Sequence, residues 1–362
     1  MCIRDRHSSY TFTCLLFFDI DYSILKLIFI YNLPFEKNAD NHFKFKCSQI
    51  IKREFNMDVF SYSAVSLNES EKEELSAVVR DIHSECPGQI QSRYLSRIKE
   101  IKDKITNSRI VKKFNFHEPL LISNLPEFEN IELSKILLLT LGESIGRCVA
   151  YSDYNQSYVT DIRPTLTSRE LSSSSELLTM HNDLCFASDR CRPEYLVLVP
   201  HIANGDIPKT LLATSAQLVE FFTKEELSIL QSEIFEMRAG GKLLWPNEEI
   251  RKMKIIEKEI NGRIKIKLNF SNIKPAPGLS EPLYKQAEEL LEKLASLALR
   301  VGRENGHSIQ KGEALIIPNN YAVHGRDVFT SDNIQRLLLR SYVVSQNVVD
   351  SFSGNTMISI RN

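Results

Sequence analysis

The sequence predicts a fold that is mainly β with helical insertions, behind a first third that is mostly helical. Two patterns predict this. Between residues 69 and 148 most apolar residues recur at helical spacing, whereas after His181 they form short runs or alternate with polar residues, as strands do. No internal repeat, low-complexity tract or linker rich in Pro and Gly marks a boundary after Met57, so a single domain over residues 57–362 is expected.

The helical third begins with a capping signature. Asn68 and Glu71 have the spacing of a capping box, and the apolar residues that follow keep helical spacing until Cys86, Pro87 and Gly88 stop the helix. The other elements predicted here are a helix over residues 90–105, a strand over 119–125 and a helix over 131–148. Helices therefore dominate the first third.

The half of the chain after His181 is predicted to be mostly strands. Ile264, Ile266 and Leu268 alternate with polar neighbours, as in a half-buried strand, and Thr223 is placed to cap a short helix. The elements predicted here are strands over residues 195–199, 263–270, 313–318 and 336–344, and a helix over 282–303. A pair of asparagines, 319 and 320, is expected at the turn before the segment that carries His324.

Residues 1–56 look foreign to this domain. The first six resemble a translated sequencing adapter, so Met57 is expected to be the natural start, with a non-native or loosely packed extension before it. Charged residues at 19, 21 and 26 interrupt the apolar stretch, which disfavours a transmembrane helix, and no small-residue cleavage site supports a signal peptide. The alternative is a genuine extension that packs on the domain.

The composition is that of an ordinary globular protein, with 43% hydrophobic and 25% charged residues. Lys and Arg number 45 against 46 Asp and Glu, so the chain lacks the basic surface that nucleic-acid binding requires, and a small-molecule partner is expected. Seven cysteines without a CxxC pair indicate reduced thiols and a cytoplasmic protein. No membrane partner is expected, because charged residues interrupt the apolar stretch near the start of the chain. The oligomeric state is not predicted.

Two segments carry the candidate chemistry. His181 and Asp183 are two residues apart, so on an extended backbone both side chains leave the same face and can reach one metal ion. Far along the chain lies His324, followed by a predicted strand with Arg336 and Arg340 on one face. Buried arginines are costly unless each meets an anion, and a bound dicarboxylate would supply one.

This combination suits a particular metal chemistry. Two neutral imidazoles and one carboxylate bind iron(II) on one triangular face and leave three positions for a chelating 2-oxo acid and for dioxygen. The remote carboxylate of that acid prefers a planar, bidentate donor such as arginine. The three candidate ligands are His181, Asp183 and His324.

The motifs resemble a known family. The blocks are Leu177-Leu-Thr-Met-His181-Asn-Asp183-Leu-Cys-Phe186, Arg192-Pro-Glu-Tyr195-Leu, Thr210-Leu-Leu-Ala-Thr214, His324-Gly-Arg326 with Phe329, and Arg336-x-x-x-Arg340. They are similar to those of the taurine dioxygenase superfamily, and more narrowly of its clavaminate synthase-like branch, which includes asparagine and arginine β-hydroxylases. The resemblance covers residues 61–344. It implies a double-stranded β-helix, or jelly-roll, core.

The resemblance also implies roles for single residues. His181, Asp183 and His324 would bind Fe(II), and the co-substrate 2-oxoglutarate would meet Arg336 and the hydroxyl of Thr210. Residues expected to face the primary substrate are Arg340, Ser174 and, for an α-ammonium group, Asp161 or Asp189. The branch usually carries Glu where this chain has Asp183, and its loop between His324 and Arg336 looks longer.

The resulting hypothesis is a dioxygenase that uses Fe(II), 2-oxoglutarate and O2, releases succinate and CO2, and hydroxylates a free amino acid or derivative next to its α-carbon. Alternatives are oxygenation of a sulfonate or other small organic acid, and a non-catalytic jelly-roll binding protein. A zinc hydrolase with the same ligands would have no use for Arg336.

Overall fold

The computed structural model describes residues 11–13, 32–34, 63–86, 91–105, 112, 114–154, 156–163, 176–239, 250–329 and 335–360. By its contacts the chain divides into two units, Met1–Val59 and Phe60–Asn362. In the first unit, β1 (Thr11–Thr13) pairs antiparallel with β2 (Asn32–Pro34). Ser174, which the sequence places near the substrate, lies outside the described residues.

The second unit holds the remaining elements. Its helices are α1 (Glu69–Glu85), α2 (Gln91–Ile105), α3 (Ile131–Ile145), α4 (Ser215–Val219), α5 (Lys224–Leu230), α6 (Glu281–Glu304) and α7 (Gln346–Ser351). Its first strands are β3 (Ser63–Ser66), β4 (Leu120–Ser123), β5 (Arg147–Tyr151), β6 (Thr160–Ile162), β7 (Leu178–His181), β8 (Tyr195–Asn204) and β9 (Thr210–Thr214). The later strands are β10 (Phe235–Arg238), β11 (Ile250–Met253), β12 (Ile256–Lys258), β13 (Ile264–Ile266), β14 (Ile273–Pro275), β15 (Ala314–Pro318), β16 (Ala322–Arg326), β17 (Gln335–Val344) and β18 (Met357–Ile358).

The capping box at the start of α1 is confirmed. Asn68 accepts a hydrogen bond from the backbone N–H of Glu71, whose carboxylate in turn accepts one from the Asn68 N–H. Thr223 forms the same motif with Glu226 at the start of α5. Because these side chains satisfy N–H groups that have no partner within the helix, the sequence fixes both starting points.

The prediction that the third helix continues to residue 148 is wrong. It ends at Ile145, and β5 follows almost at once. A Cβ on Gly146 would lie 2.5 Å from the carbonyl oxygen of Val344, so the chain passes β17 where only glycine fits. The carboxylate of Glu143 then accepts the Cys148 N–H at 2.7 Å. Tertiary contact with β17 therefore overrides the helical pattern.

Two sheets flank the interior. The larger has the order β18-β5-β17-β8-β15-β4-β3, with β6 also paired to β17, and the smaller has the order β7-β16-β9. Most pairs in the larger sheet are antiparallel; β3 with β4 and β18 with β5 are parallel. The longest contact is between β8 and β17, which pair over nine residues of β17, from Gln335 to Val343.

Side-chain alternation along β17 separates two cores. Leu337, Leu339 and Val343 pack with residues of α1, α2 and α3 on one face of the larger sheet. Leu338 and Tyr342 point to the other face, where they join a cluster that includes residues of β9 and β16. Because side chains alternate along a strand, Arg336 and Arg340 also point between the sheets, as the sequence predicts. On the far side of the smaller sheet, α6 packs against a third cluster.

Within the described part of the chain, no helix is both long and apolar enough to cross a membrane. The four described cysteines, at positions 86, 148, 185 and 191, are free thiols, in agreement with the sequence prediction. Cys185 and Cys191 are buried in apolar clusters. Burial raises the pKa of Cys185 to about 11, so it is an uncharged packing residue.

Candidate metal centre

The smaller sheet brings the two predicted histidine ligands together. His181 is the last residue of β7, and His324, in the middle of β16, is its direct cross-strand partner. Paired residues of neighbouring strands present their side chains on the same face. The two imidazole rings lie 4.4 Å apart between centroids and point into the space between the sheets. Strand pairing thus brings together two histidines that are more than 140 residues apart in the sequence.

Asp183 completes the cluster from the turn that follows β7. Its Oδ1 lies 3.2 Å from Nε2 of His181 and 3.6 Å from Nε2 of His324. One ligand atom from each of the three residues falls within 4.8 Å of the others. The side chain of His181 is 16% exposed and those of Asp183 and His324 are 8% and 10% exposed, so the cluster is largely buried yet reachable.

Two buried amides hold the turn that carries Asp183. Asn182 donates to the carbonyls of Asn319 and Ala322 at 2.6 and 3.0 Å and accepts from the N–H of Leu268 at 2.8 Å. Asn319 accepts the Asp183 N–H at 2.8 Å and donates to the Asp183 carbonyl at 2.9 Å. Both amides are almost inaccessible to water, so leaving them unpaired would be costly, and this fixes the backbone on both sides of Asp183.

Both imidazoles are arranged to present a free ring nitrogen. Nδ1–H of His181 donates a hydrogen bond to the carbonyl oxygen of Thr179 at 2.8 Å, so Nε2 presents its lone pair toward Asp183. Burial, together with the neighbouring His181, lowers the pKa of His324 to about 3, so this ring is neutral at pH 7. Neutral imidazole is the form that binds a metal ion.

The second oxygen of Asp183 has partners of its own. Oδ2 accepts a hydrogen bond from Nη1 of Arg340 at 2.7 Å and from the hydroxyl of Tyr342 at 3.1 Å. Burial alone would raise the pKa of Asp183, but Arg340 and the two histidines hold it well below its usual range. The same pairing raises the pKa of Arg340, against the effect of its own burial. Asp183 is therefore a carboxylate at every ordinary pH.

Arg336 lies in a different electrostatic environment. It is as buried as Arg340, at 8% exposure, yet it has no carboxylate partner among the described residues. Burial and the neighbouring guanidinium of Arg326 lower the pKa of Arg336 to about 10. Thr210, also buried, is the cross-strand partner of Arg326, so it faces the same space from β9. The Arg336 guanidinium therefore lies near Arg326 and the Thr210 hydroxyl, with no acid beside it among the described residues.

Other predicted site residues are placed elsewhere. Asp161 is the cross-strand partner of Leu339, so it lies on the face of the larger sheet opposite to Arg340, and its carboxylate is 3.8 Å from Arg163. Asp189 pairs with Lys267 at 2.8 Å. The structure does not bring either acid to the metal cluster, because strand alternation and a lysine partner turn them away.

Arg340 meets an anion inside the protein, because Asp183 supplies one. It therefore does not need a substrate carboxylate to compensate its charge, and its role toward the primary substrate stays a prediction. Sequence reasoning also missed Tyr342, Asn182 and the role of Asn319. Only Tyr342 had a usable signal, since it follows Arg336 and Arg340 on the same face of a predicted strand.

No protein-family model matches the chain, but one curated protein and several solved structures do. The chain is 26% identical over 216 residues to an L-lysine 3-hydroxylase from Catenulispora acidiphila. That match covers 57% of this chain and 57% of the relative, so it spans less than two thirds of the relative's length.

Solved structures match over more of the chain. An asparagine oxygenase in complex with Fe(II), 3-hydroxyasparagine and succinate superimposes with a TM-score of 0.68 at 16% identity, covering 82% of this chain and 99% of that one. The non-haem iron oxygenase OrfP, in complex with Fe and α-ketoglutaric acid, gives a TM-score of 0.62 at 16% identity, with coverage of 83% and 100%. These findings support the resemblance to the clavaminate synthase-like branch, and the chain has the fold of these non-haem iron oxygenases.

Proposed function

We propose that this chain is an Fe(II)- and 2-oxoglutarate-dependent dioxygenase that hydroxylates a small molecule and releases succinate and CO2. The observation that carries the proposal is the juxtaposition of two sites between the sheets. One is the cluster of His181, Asp183 and His324, and the other is Arg336, buried without a carboxylate partner among the described residues. A metal site alone would fit several chemistries, whereas the second site calls for a particular co-substrate.

The three residues fit iron(II). Metal–ligand bonds of about 2.0–2.2 Å place ligand atoms in adjacent positions about 3 Å apart, close to the 3.2 and 3.6 Å separations measured from Asp183 Oδ1. The donor set of two neutral imidazoles and one carboxylate is that of the facial triad of non-haem iron(II) oxygenases. His181, Asp183 and His324 would hold the ion and leave its remaining positions open.

The neighbouring pocket fits the remote carboxylate of 2-oxoglutarate. Arg336 offers a planar, bidentate donor, and burial in a region without a competing acid strengthens each of its hydrogen bonds to an anion. Thr210 supplies a hydroxyl from the facing strand. When bound, iron(II) and 2-oxoglutarate together supply the oxidising chemistry that activates dioxygen.

The chain's own residues prepare this site in three ways. Nδ1 of His181 is held by Thr179, which orients one ligand, and the buried amides of Asn182 and Asn319 fix the turn that carries another. His324 stays neutral, so no proton has to leave before it binds a metal ion. The apolar cluster between the sheets keeps bulk water away from the reacting groups.

We infer that the substrate is a free amino acid or a close derivative and that hydroxylation occurs next to the α-carbon. The similarity to an L-lysine 3-hydroxylase, an asparagine oxygenase and OrfP supports this inference. A sulfonate or other small organic acid is the second candidate, because Arg340 already has Asp183 as its counterion and no α-carboxylate is needed to neutralise it.

Three further parts of the proposal concern the whole chain. The larger sheet and the β7-β16-β9 sheet would be the two sheets of a double-stranded β-helix. Residues 57–362 would form the oxygenase domain, with residues 1–56 not needed for it. Free buried thiols, in the part of the chain that the structure describes, support a cytoplasmic location.

A substrate screen tests the proposed function. The metal-free chain is reconstituted anaerobically with Fe(II) and 2-oxoglutarate, exposed to air, and assayed for succinate with free amino acids, N-acetylated amino acids and alkyl sulfonates. Stimulation by free amino acids, with a hydroxylated product, is the expected result. Stimulation by sulfonates or N-blocked acids alone would refute the amino-acid assignment, and hydrolysis without succinate would indicate the zinc alternative.

A further inference from the structure

We propose that Arg340 and Tyr342 form a clamp on Asp183 that keeps this residue a one-oxygen metal ligand and thereby sets the affinity of the site for its metal ion. In this account Arg340 is a positioning residue that acts through Asp183. The inference rests on the proposed function, because it assumes that His181, Asp183 and His324 bind a divalent metal ion.

The two carboxylate oxygens of Asp183 have different partners. Oδ1 of Asp183 is the oxygen that lies near both imidazoles, at 3.2 and 3.6 Å. Oδ2 is held by Nη1 of Arg340 at 2.7 Å and by the Tyr342 hydroxyl at 3.1 Å. With two donors on Oδ2, only Oδ1 is available to a metal ion, and the carboxylate plane is fixed before the ion arrives.

The rigidity of the clamp is the second step. Arg340 and Tyr342 are two residues apart on β17, so both side chains leave the same face of one strand. Both are at least nine-tenths buried, and the guanidinium carbon of Arg340 lies 4.7 Å from the centre of the Tyr342 ring. Tyr151 packs its ring edge-on against Tyr342 with 5.6 Å between centroids. Burial and these ring contacts hold both donors beside Asp183.

The placement of Asp183 explains why a clamp is needed. This residue lies in a turn and follows the last residue of β7 by two positions, so no strand pairing orients its side chain. Asn182 and Asn319 fix its backbone, and the hydrogen bonds to Oδ2 come from Arg340 and Tyr342. Groups that orient metal ligands in this way typically change metal affinity or activity by about 10- to 100-fold when removed.

Manganese(II) titration of the metal-free chain tests the proposal without turnover. Free Mn(II) is measured by electron paramagnetic resonance for the wild type and for the Tyr342→Phe, Arg340→Met, Arg340→Lys and Arg147→Met variants. Arg147→Met is the matched control, since Arg147 also pairs with a buried acid, Glu143, at 3.0 Å, but lies on β5 and has no described contact with Asp183. Arg340→Met should weaken binding by about 10- to 100-fold, and Tyr342→Phe by a smaller factor. Arg340→Lys should recover part of the affinity, and Arg147→Met should bind like the wild type.

A second readout separates positioning from general stability. With cobalt(II) in the site, the visible absorption spectrum of Tyr342→Phe should change, because Oδ2 then keeps only the Arg340 donor and the carboxylate is oriented less firmly. Tyr342→Phe removes one hydroxyl only, so it keeps the test available if Arg340→Met does not fold. Equal affinities and identical cobalt(II) spectra for the wild type and Tyr342→Phe would overturn the proposal, as would an equal loss in Arg147→Met.

A failure of the proposed function gives a different pattern. If the wild type and a His181→Ala variant bind Mn(II) equally weakly, the three residues are not a metal site, and both proposals fall. If the wild type binds Mn(II) in a manner that depends on His181 while the Arg340 and Tyr342 variants bind equally well, the metal site stands and only the clamp is refuted.

Discussion

Arg336 and Arg340 lie four residues apart on one face of β17 and are equally buried, yet they differ in their partners. Arg340 donates to Asp183 at 2.7 Å, and this pairing raises its pKa. Arg336 has no acid beside it among the described residues, and burial together with Arg326 lowers its pKa to about 10. One arginine is thus compensated within the protein, and the other is not.

This difference shows how a single strand can serve two purposes. A buried charge that is paired in the folded chain stabilises its own partner, so Arg340 belongs to the metal site. A buried charge without a partner lowers the stability of the folded chain, and an anion that binds to it restores that stability. Arg336 is therefore suited to bind an anionic ligand. The same residue type at the same burial therefore predicts opposite responses to mutation and to co-substrate.

Replacing Asp183, the carboxylate that compensates Arg340, should have the largest effect. Asp183→Ala deletes the only anionic ligand and leaves Arg340 without its carboxylate, so the two arginines become alike. We expect metal binding to weaken strongly and substrate-coupled succinate formation to stop. Full activity in this variant would show that Asp183 is not a ligand. Asp350→Ala, at an exposed surface acid, is the control and should behave like the wild type.

Replacing each arginine by methionine should affect the stability of the metal-free chain differently. Arg340→Met leaves Asp183 buried and unpaired, which should lower the free energy of unfolding by about 3–5 kcal/mol. Arg336→Met removes a charge that has no acid partner among the described residues, so its stability should be unchanged or higher. Urea unfolding monitored by circular dichroism measures both. A large loss for Arg336→Met would mean that an acid does pair with this residue.

The response to 2-oxoglutarate should distinguish the two arginines again. Loss of a buried, bidentate contact costs about 2–5 kcal/mol, so Arg336→Met should raise the concentration of 2-oxoglutarate required for half-maximal turnover by ~30-fold or more. The rate at saturating 2-oxoglutarate should fall much less. Unchanged dependence on 2-oxoglutarate in Arg336→Met would place the co-substrate elsewhere.

The smallest expected effect concerns the N-terminal segment. Both arginines belong to the unit Phe60–Asn362, so a chain that starts at Met57 should melt at the same temperature and require the same concentration of 2-oxoglutarate as the full chain. Differential scanning calorimetry and the succinate assay check this. A large drop in melting temperature would show that residues 1–56 are integral to the fold.

Most of the local structure could be predicted from the sequence because local signals determine it. The capping box at Asn68 fixes the start of α1, and the amphipathic pattern after residue 281 gives a helix that spans Glu281–Glu304. The end of α3 could not be predicted, since it depends on the contact of Gly146 with Val344, 198 residues further along the chain. The strand around His324 was also missed, because its residues, Ala-Val-His-Gly-Arg, neither alternate regularly nor form an apolar run.

The candidate site shows the same division between local and distant information. Spacing and residue type were enough to suggest His181, Asp183 and His324, and strand alternation placed Arg336 and Arg340 on one face. Which anion each arginine meets depends on how β17 faces the turn after β7, and no sequence pattern carries that information. The position of Asp161 depends on the same kind of information, since the face of the sheet that it occupies follows from its pairing with Leu339.

The central claim is that His181, Asp183 and His324 hold an iron(II) ion to which 2-oxoglutarate binds with its remote carboxylate on Arg336. Anaerobic titration of the iron(II)-loaded chain with 2-oxoglutarate tests this most directly, because a 2-oxo acid chelated to iron(II) produces a visible charge-transfer absorption. We predict that the band reaches its maximum at one 2-oxoglutarate per bound iron and that it is absent in His181→Ala. In Arg336→Met the same band should require a much higher 2-oxoglutarate concentration. Absence of the band in the wild type, or an identical titration in Arg336→Met, would contradict the account.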